Sequence, residues 1–244
     1  MPILIGEATK LSKYFIEHDK KYRATLKLGI KTDSGDEEGN IIDKDNYILD
    51  YNKEGFYKNI FSSFIGKQKQ IPPMYSALKV NGKKLYEYAR EGIEIERKER
   101  EIEIYNIDII EFNYKENCIV FDVECSKGTY IRTLCEDIAE KIGTVGFMKS
   151  LVRTKVNDFS IENTVSLDKL EKSENVLKYV IRIEDLFINK KEIALDENKN
   201  RLFINGGRIK TVENDDVYRI YCDGKFIGLG KVENRILKRE IVIN

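Results

Sequence analysis

The chain has 244 residues, 41% of them hydrophobic and 34% charged, with 42 Lys and Arg exactly balanced by 42 Asp and Glu. That length buries a substantial core, as one large domain or as a large domain plus a small one. A zero net charge excludes a globally basic nucleic-acid protein, so any RNA contact must rest on local clusters. Cys118, Cys125, Cys135 and Cys222 form no CxxC pair and His18 stands alone, so neither a zinc site nor a disulfide framework is implied. No apolar run approaches the roughly 20 residues of a bilayer span, and no secretory signal opens the chain. The expectation is a cytoplasmic protein with reduced structural thiols, no membrane association and no metal.

The segment Met1–Gly6 is apolar without a polar lead-in and reads as a piece already inside a fold, which suggests a segment upstream. From Glu7 to Glu17, Ala8, Leu11, Tyr14 and Phe15 recur at helical spacing and predict a short amphipathic helix. Tyr22 to Leu28 alternates, with Ala24, Leu26 and Leu28 on one face of a strand. The acidic, Gly-rich stretch 32–39 lacks the register and closing Glu of a calcium loop and reads as a solvated turn. A helix is expected over about Leu49–Ile65, and Pro72-Pro73 breaks the chain after it.

Strand alternation resumes from Glu101 to Phe112, with Ile102 and Ile104 and then Ile107 and Ile109 marking the faces. Cys118 to Cys125 alternates again, with Ile119, Phe121 and Val123 inward. Ile131, Leu134, Ile138 and Ile142 form a helical stripe, and Phe147 to Val156 reads as a further strand. The last fifty or so residues look all-β, punctuated by Asn205-Gly206-Gly207, Asp223-Gly224 and Gly228. These patterns predict an α+β fold whose sheet is mixed and mainly antiparallel with flanking helices, over residues 1–182. A small all-β domain is expected over 183–244.

Four segments could carry chemistry. In Asp19-Lys20-Lys21-Tyr22-Arg23 an aromatic is interleaved with cations, as where a base stacks beside neutralised phosphates; a strand start with solvated charges is the plainer alternative. Asn81-Gly82 predicts a tight turn presenting Lys79, Lys83 and Lys84, with Arg90 on the helix that follows. Such a finger suits a phosphate backbone, although a solvated hairpin tip has the same composition. Ser126-Lys127-Gly128-Thr129-Tyr130-Ile131-Arg132 runs a strand through Gly into a helix start, and Tyr130 and Arg132 could seat a carboxylate or phosphate. Leu151-Val152-Arg153-Thr154 lies on a strand, where Leu151 reads by itself as a packing residue.

Taken in order, these stretches resemble the bacterial tRNA pseudouridine-55 synthase family of the TruB type. The resemblance rests on Gly6–Lys10, Asp19–Arg23, Thr32–Gly39, Pro73–Lys79, Gly82–Gly92 and Ser126–Arg132, and spans most of the first 155 residues. The tail resembles that family's small PUA-like RNA-binding domain more weakly, through Asn205-Gly206-Gly207 and Gly224–Gly228. The resemblance implies a pseudouridine synthase fold and the isomerisation of a T-loop uridine of tRNA, without metal or cofactor, by a monomer that flips the base into a pocket. It implies that Tyr22 stacks on the uracil, that Tyr130 lines the pocket as proton acceptor or positioning group, and that Leu151 walls it. Arg132 is expected to pair with the essential aspartate, and Lys79, Lys83, Lys84 and Arg90 to grip the T-arm.

The catalytic Asp of this family precedes a Leu-Pro-Ile segment that Met1-Pro2-Ile3 resembles, so its position is expected to fall before Met1. The expectation from sequence is therefore that this chain alone does not isomerise uridine, with neither Asp33 nor Asp36 as a substitute. The competing expectations are a non-catalytic tRNA-binding or tRNA-folding protein of the same descent and a generic α+β interaction protein.

Overall fold

The computed structural model describes residues 2–12, 14 and 18–243. Contacts divide the chain into two compact units, Ile16–Asn163 and Pro2–Phe15 with Thr164–Asn244.

The first unit is built on a six-stranded sheet in the order β10-β9-β1-β8-β7-β4. Its strands are β1 (Lys20–Leu28), β4 (Gly66–Gln70), β7 (Arg100–Asn113), β8 (Cys118–Cys125), β9 (Gly146–Val156) and β10 (Phe159–Ser160). Every pairing in it is antiparallel. The short hairpins β2 (Ile30–Thr32) with β3 (Ile41–Lys44), and β5 (Lys79–Val80) with β6 (Lys83–Lys84), complete the unit. Its helices are α1 (Glu54–Ser62), α2 (Leu85–Arg90) and α3 (Ile131–Ile142).

The core follows the alternation. Ala24, Leu26 and Leu28 from β1, with Ile119, Phe121 and Val123 from β8, are buried against Ile131, Leu134, Ile138 and Ile142 of α3. Phe61 of α1 closes on Phe121 edge to face, with ring centroids 5.2 Å apart. The odd step from Ile104 to Ile107 has its cause in β7, where the register against β8 shifts between Ile104 and Asn106. A bulge there returns the isoleucines to the core face that a straight strand would lose. Cys118, Cys125 and Cys135 are buried, and burial raises each thiol pKa, that of Cys125 to about 11, as for inert structural thiols.

The helix predicted over Leu49–Ile65 is shorter. Asp50 accepts the Asn52 N–H at 2.9 Å and caps a 3-10 turn before α1 begins at Glu54. Where a helix is expected from Glu7, residues Gly6–Leu11 form a 3-10 helix. Lys13, Phe15, Ile16 and Glu17 lie outside the described residues.

Asp137 of α3 is half-buried. Burial first, and the charge of Glu140 second, raise its pKa from 3.8 to about 6. The unfolded chain therefore ionises at lower pH than the folded one, so this group's contribution to stability is lost as pH rises from about 4 to 6. Asp137→Asn is expected to flatten that loss, read as urea midpoints above and below the window. An unchanged pH profile would remove Asp137 as its source.

The second unit holds a five-stranded sheet in the order β11-β13-β14-β15-β12. The strands are β11 (Glu192–Ala194), β12 (Ile209–Lys210), β13 (Asp216–Cys222), β14 (Lys225–Glu233) and β15 (Ile236–Val242). Only the β11–β13 pairing in this sheet is parallel. Asp223 and Gly224 both take positive φ, +48° and +72°, and close β13 onto β14 as a two-residue turn.

The stretch 183–244, expected to be all-β, also holds helix α5 (Glu197–Ile204), whose Phe203 is fully buried; helix α4 (Leu167–Glu171) precedes it in the same unit. Asn205-Gly206-Gly207 ends α5 rather than turning a hairpin: the Gly206 and Gly207 N–H groups donate to Phe203 and Leu202 carbonyls. Residues 164–182, read from sequence as part of the first domain, group with this unit, and so does the N-terminal segment. The reason is packing: Leu11 is fully buried with Leu229 and Ile241, and Tyr14, Ile183, Leu186 and Phe187 pack on that cluster. Among the described residues, no helix is long and apolar enough to cross a membrane.

Candidate functional site

The site develops at one end of β1 in the first unit. Tyr22 pairs directly with Arg153 of β9, and Ala24 with Leu151, so Tyr22, Leu151 and Arg153 share one sheet face. Tyr22 is half-buried against the core, and burial raises its hydroxyl pKa while Arg153 opposes the rise. The Arg153 guanidinium lies 5.5 Å from the centre of the Tyr22 ring. Leu151 is 40% exposed, so the reading of it as a packing residue is corrected: an apolar side chain stays open beside an aromatic ring.

The cations around Tyr22 are less available than their spacing suggests. Arg23 binds Asp122 through two bonds of 2.7 and 2.8 Å, and Lys21 pairs with Glu124 at 2.7 Å. Both acids sit on β8, directly opposite their partners in the strand register. Cross-strand pairing at the surface, rather than phosphate, occupies these two charges.

Tyr130 stands at the N-cap of α3 in an extended conformation. Its backbone is held on both sides by Gln70, whose Nε2 donates to the Tyr130 carbonyl at 3.0 Å and whose Oε1 accepts the Tyr130 N–H at 2.8 Å. Gln70 is 4% exposed at the end of β4, where its neighbours offer no sequence signal of such a role.

Arg132 is the organising cation. It donates to Asp36 Oδ2 at 3.0 Å, to the Ser34 carbonyl at 3.2 Å and to the Tyr75 carbonyl at 2.6 Å. Its carboxylate partner among the described residues is thus Asp36, from the stretch expected to be a solvated turn. That stretch is held in place. The Met148 N–H donates to the Gly35 carbonyl at 3.0 Å, and Ser34 Oγ donates to Asp36 Oδ1 at 2.5 Å. A turn that looks solvent-bound in one dimension is pinned by an arginine almost a hundred residues downstream, which local composition does not register.

The finger forms as predicted. Asn81 and Gly82 take φ of +53° and +84°, closing β5 onto β6, and α2 follows at once. Glu87 accepts the Lys84 N–H at 3.0 Å and fixes the helix start. Its cations lean on tyrosines: Lys83 lies 4.6 Å from the Tyr88 ring centre, and Lys84 and Arg90 each lie 5.3 Å from that of Tyr86. Lys83 also pairs with Glu91 at 2.5 Å, while Lys79 and Arg90 are exposed. The finger is therefore an aromatic-backed cationic surface, which can meet bases and phosphates together.

Fold and site together define an α+β protein with an open tyrosine- and leucine-bearing sheet end, an arginine-clamped helix start and a basic hairpin. Comparison with known proteins agrees. Residues 1–131 match the family model for the N-terminal domain of TruB family pseudouridylate synthases, and residues 132–185 match that for the tRNA pseudouridylate synthase B C-terminal domain. The tRNA pseudouridine synthase B of Clostridium kluyveri is 43% identical over 237 residues, covering 94% of this chain and 80% of that protein. That of Alkaliphilus oremlandii is 41% identical over 242 residues, covering 96% and 79%. Among solved structures, an H/ACA RNP bound to a substrate RNA containing 2'-deoxyuridine superposes with a TM-score of 0.62 at 16% identity, covering 98% of this chain and 70% of that one. A Cbf5-Nop10-Gar1 complex gives 0.60 at 19%, covering 93% and 64%. At these identities the two structures speak for the fold alone. The chain belongs to the TruB family of pseudouridylate synthases.

Proposed function

We propose that this chain serves in tRNA pseudouridine formation, receiving the T-loop uridine at position 55 on the open face formed by Tyr22 and Leu151. The observation that supports it best is the juxtaposition on one sheet end of a half-buried tyrosine and an exposed leucine, in a chain of this family. A flipped pyrimidine needs such apolar faces once it leaves the stack of its own loop. Tyr130 lines the pocket from the start of α3, and Arg132 holds the surrounding loops in the geometry that admits the base. The isomerisation breaks the bond from uracil N1 to ribose C1′ and forms one from uracil C5 to the same carbon, C5 losing its proton and N1 gaining one, so the base must be held while it turns. Two apolar faces permit that rotation better than directional hydrogen bonds would. The protein acts as a cytoplasmic monomer, needing neither metal nor cofactor.

The finger residues Lys79, Lys83, Lys84 and Arg90 grip the T-arm by its phosphates, which position the RNA without reading its sequence. Triple neutralisation of Lys83, Lys84 and Arg90 to Gln is expected to weaken tRNA binding roughly 10- to 100-fold at low salt and to make its salt dependence shallower. Filter binding across a potassium chloride series measures both, and unchanged affinity would remove the finger from the interface. The activity itself is tested by tritium release from tRNA carrying uridine labelled at C5. Label released from position 55 supports the isomerase reading. Salt-sensitive binding of tRNA with no label released supports instead the non-catalytic tRNA-binding or tRNA-folding reading.

A further inference from the structure

Arg153 is the site cation that the family reading leaves without a task. It lies on β9 directly opposite Tyr22, with its guanidinium 5.5 Å from the ring centre. Two cations flanking Tyr22 on β1 are matched to acids, Arg23 to Asp122 and Lys21 to Glu124. No carboxylate of the described residues lies within ion-pairing distance of Arg153, which is exposed. The next residues along the strand, Leu151 and Val152, are exposed too, so this stretch of β9 is open to a ligand.

Tyr22 is only half-buried, so part of its ring surface beside the guanidinium stays open to a base. Part of the fork is turned to the Tyr22 hydroxyl, and its remaining N–H groups have a geometry matched to phosphate oxygens. The local field favours an anion as well. After burial itself, the charge of Arg153 is the largest influence lowering the Lys20 pKa, and Lys127 adds to it, with Cys125 and Asp19 opposing. A base resting on Tyr22 brings its own phosphodiester to this edge.

We propose that Arg153 is a substrate-binding residue that holds a phosphodiester adjoining the base stacked on Tyr22, while also fixing the plane of that ring. This rests on the RNA reading given above. It assigns the phosphate contact nearest the target base to the sheet, distinct from those made by the finger.

The test compares the full chain with its Arg153→Gln and Arg153→Lys variants. The probe is a T-arm RNA hairpin, and affinity is measured by filter binding across a potassium chloride series. Arg153→Gln is expected to lose about tenfold in affinity at low salt and to reduce the slope of log affinity against log salt by roughly one. Arg153→Lys keeps the wild-type slope and loses only part of the affinity, because an ammonium retains the charge without the fork. Wild-type slope and affinity in Arg153→Gln would overturn the proposal. So would a loss of affinity at unchanged slope, since that marks a role through Tyr22 alone. A wild-type chain that binds no hairpin defeats the RNA reading itself, separately from the assignment of Arg153. Should the Gln variant not fold, Arg153→Lys still decides: a slope reduced by roughly one despite the retained charge would overturn the proposal.

Discussion

Arg132→Ala is expected to lower folding stability by about 3 kcal/mol, read as a reduced urea midpoint. The side chains of Arg132 and Asp36 are 21% and 25% exposed, so neither charge is well hydrated, and removing one strands the other. The guanidinium also satisfies two backbone carbonyls, of Ser34 and Tyr75, from segments that approach α3 from different parts of the chain. Arg132→Lys is expected to recover less than half of the loss, since one ammonium cannot span three acceptors in the directions a planar fork reaches. Asp36→Asn keeps Ser34 Oγ as a partner and is expected to cost about 1–2 kcal/mol. A double-mutant cycle between the two positions should return a coupling of about 1–2 kcal/mol. A loss below about 1 kcal/mol for Arg132→Ala would reclassify the pair as a surface ion pair.

Gln70→Ala is expected to cost about 1–3 kcal/mol, because it orphans the Tyr130 N–H, while the Tyr130 carbonyl loses one of two donors and keeps the Leu134 N–H at 3.1 Å. Tyr130 would then be free to shift at the N-cap, so RNA affinity should fall along with stability. Gln70→Glu separates the two bonds. Its carboxylate still accepts the Tyr130 N–H but meets the Tyr130 carbonyl with a lone pair where Gln70 has a donor. That variant is expected to be the less stable of the two at neutral pH. It should recover as pH falls, when the protonated carboxyl regains a donor; here the folded state raises the acid's pKa, so stability grows toward low pH. Equal urea midpoints for Gln70→Ala and the wild type, within about 0.5 kcal/mol, would show that Gln70 does not position Tyr130.

Elements whose information is local were legible without a fold. The alternation of Ala24, Leu26 and Leu28, the stripe Ile131, Leu134, Ile138 and Ile142, and the Asn81-Gly82 turn each carry their geometry in consecutive residues. So did the family resemblance, carried by the finger and by Ser126–Arg132, and the family models agree. Asn205-Gly206-Gly207 misled because glycines end helices as readily as they turn hairpins, and the helix before them carries little apolar signal.

The site's connections came only from the tertiary structure. Asp36 and Arg132 are 96 residues apart, and Gln70 and Tyr130 are 60 apart. No periodicity links residues at such separations, because the pairings depend on how strands order in a sheet. Arg153 was visible as a residue of the Leu151 segment, but its place over Tyr22 depends on the β1–β9 register and on a bulge within it. The sequence by itself determined which faces are apolar, where the basic finger turns and to which family the chain is akin. The tertiary structure decided which charges are already matched and which remain for a substrate. That division has a physical reason: burial and turn preference act between near neighbours, whereas ion pairing and desolvation depend on what the fold brings within a few ångströms.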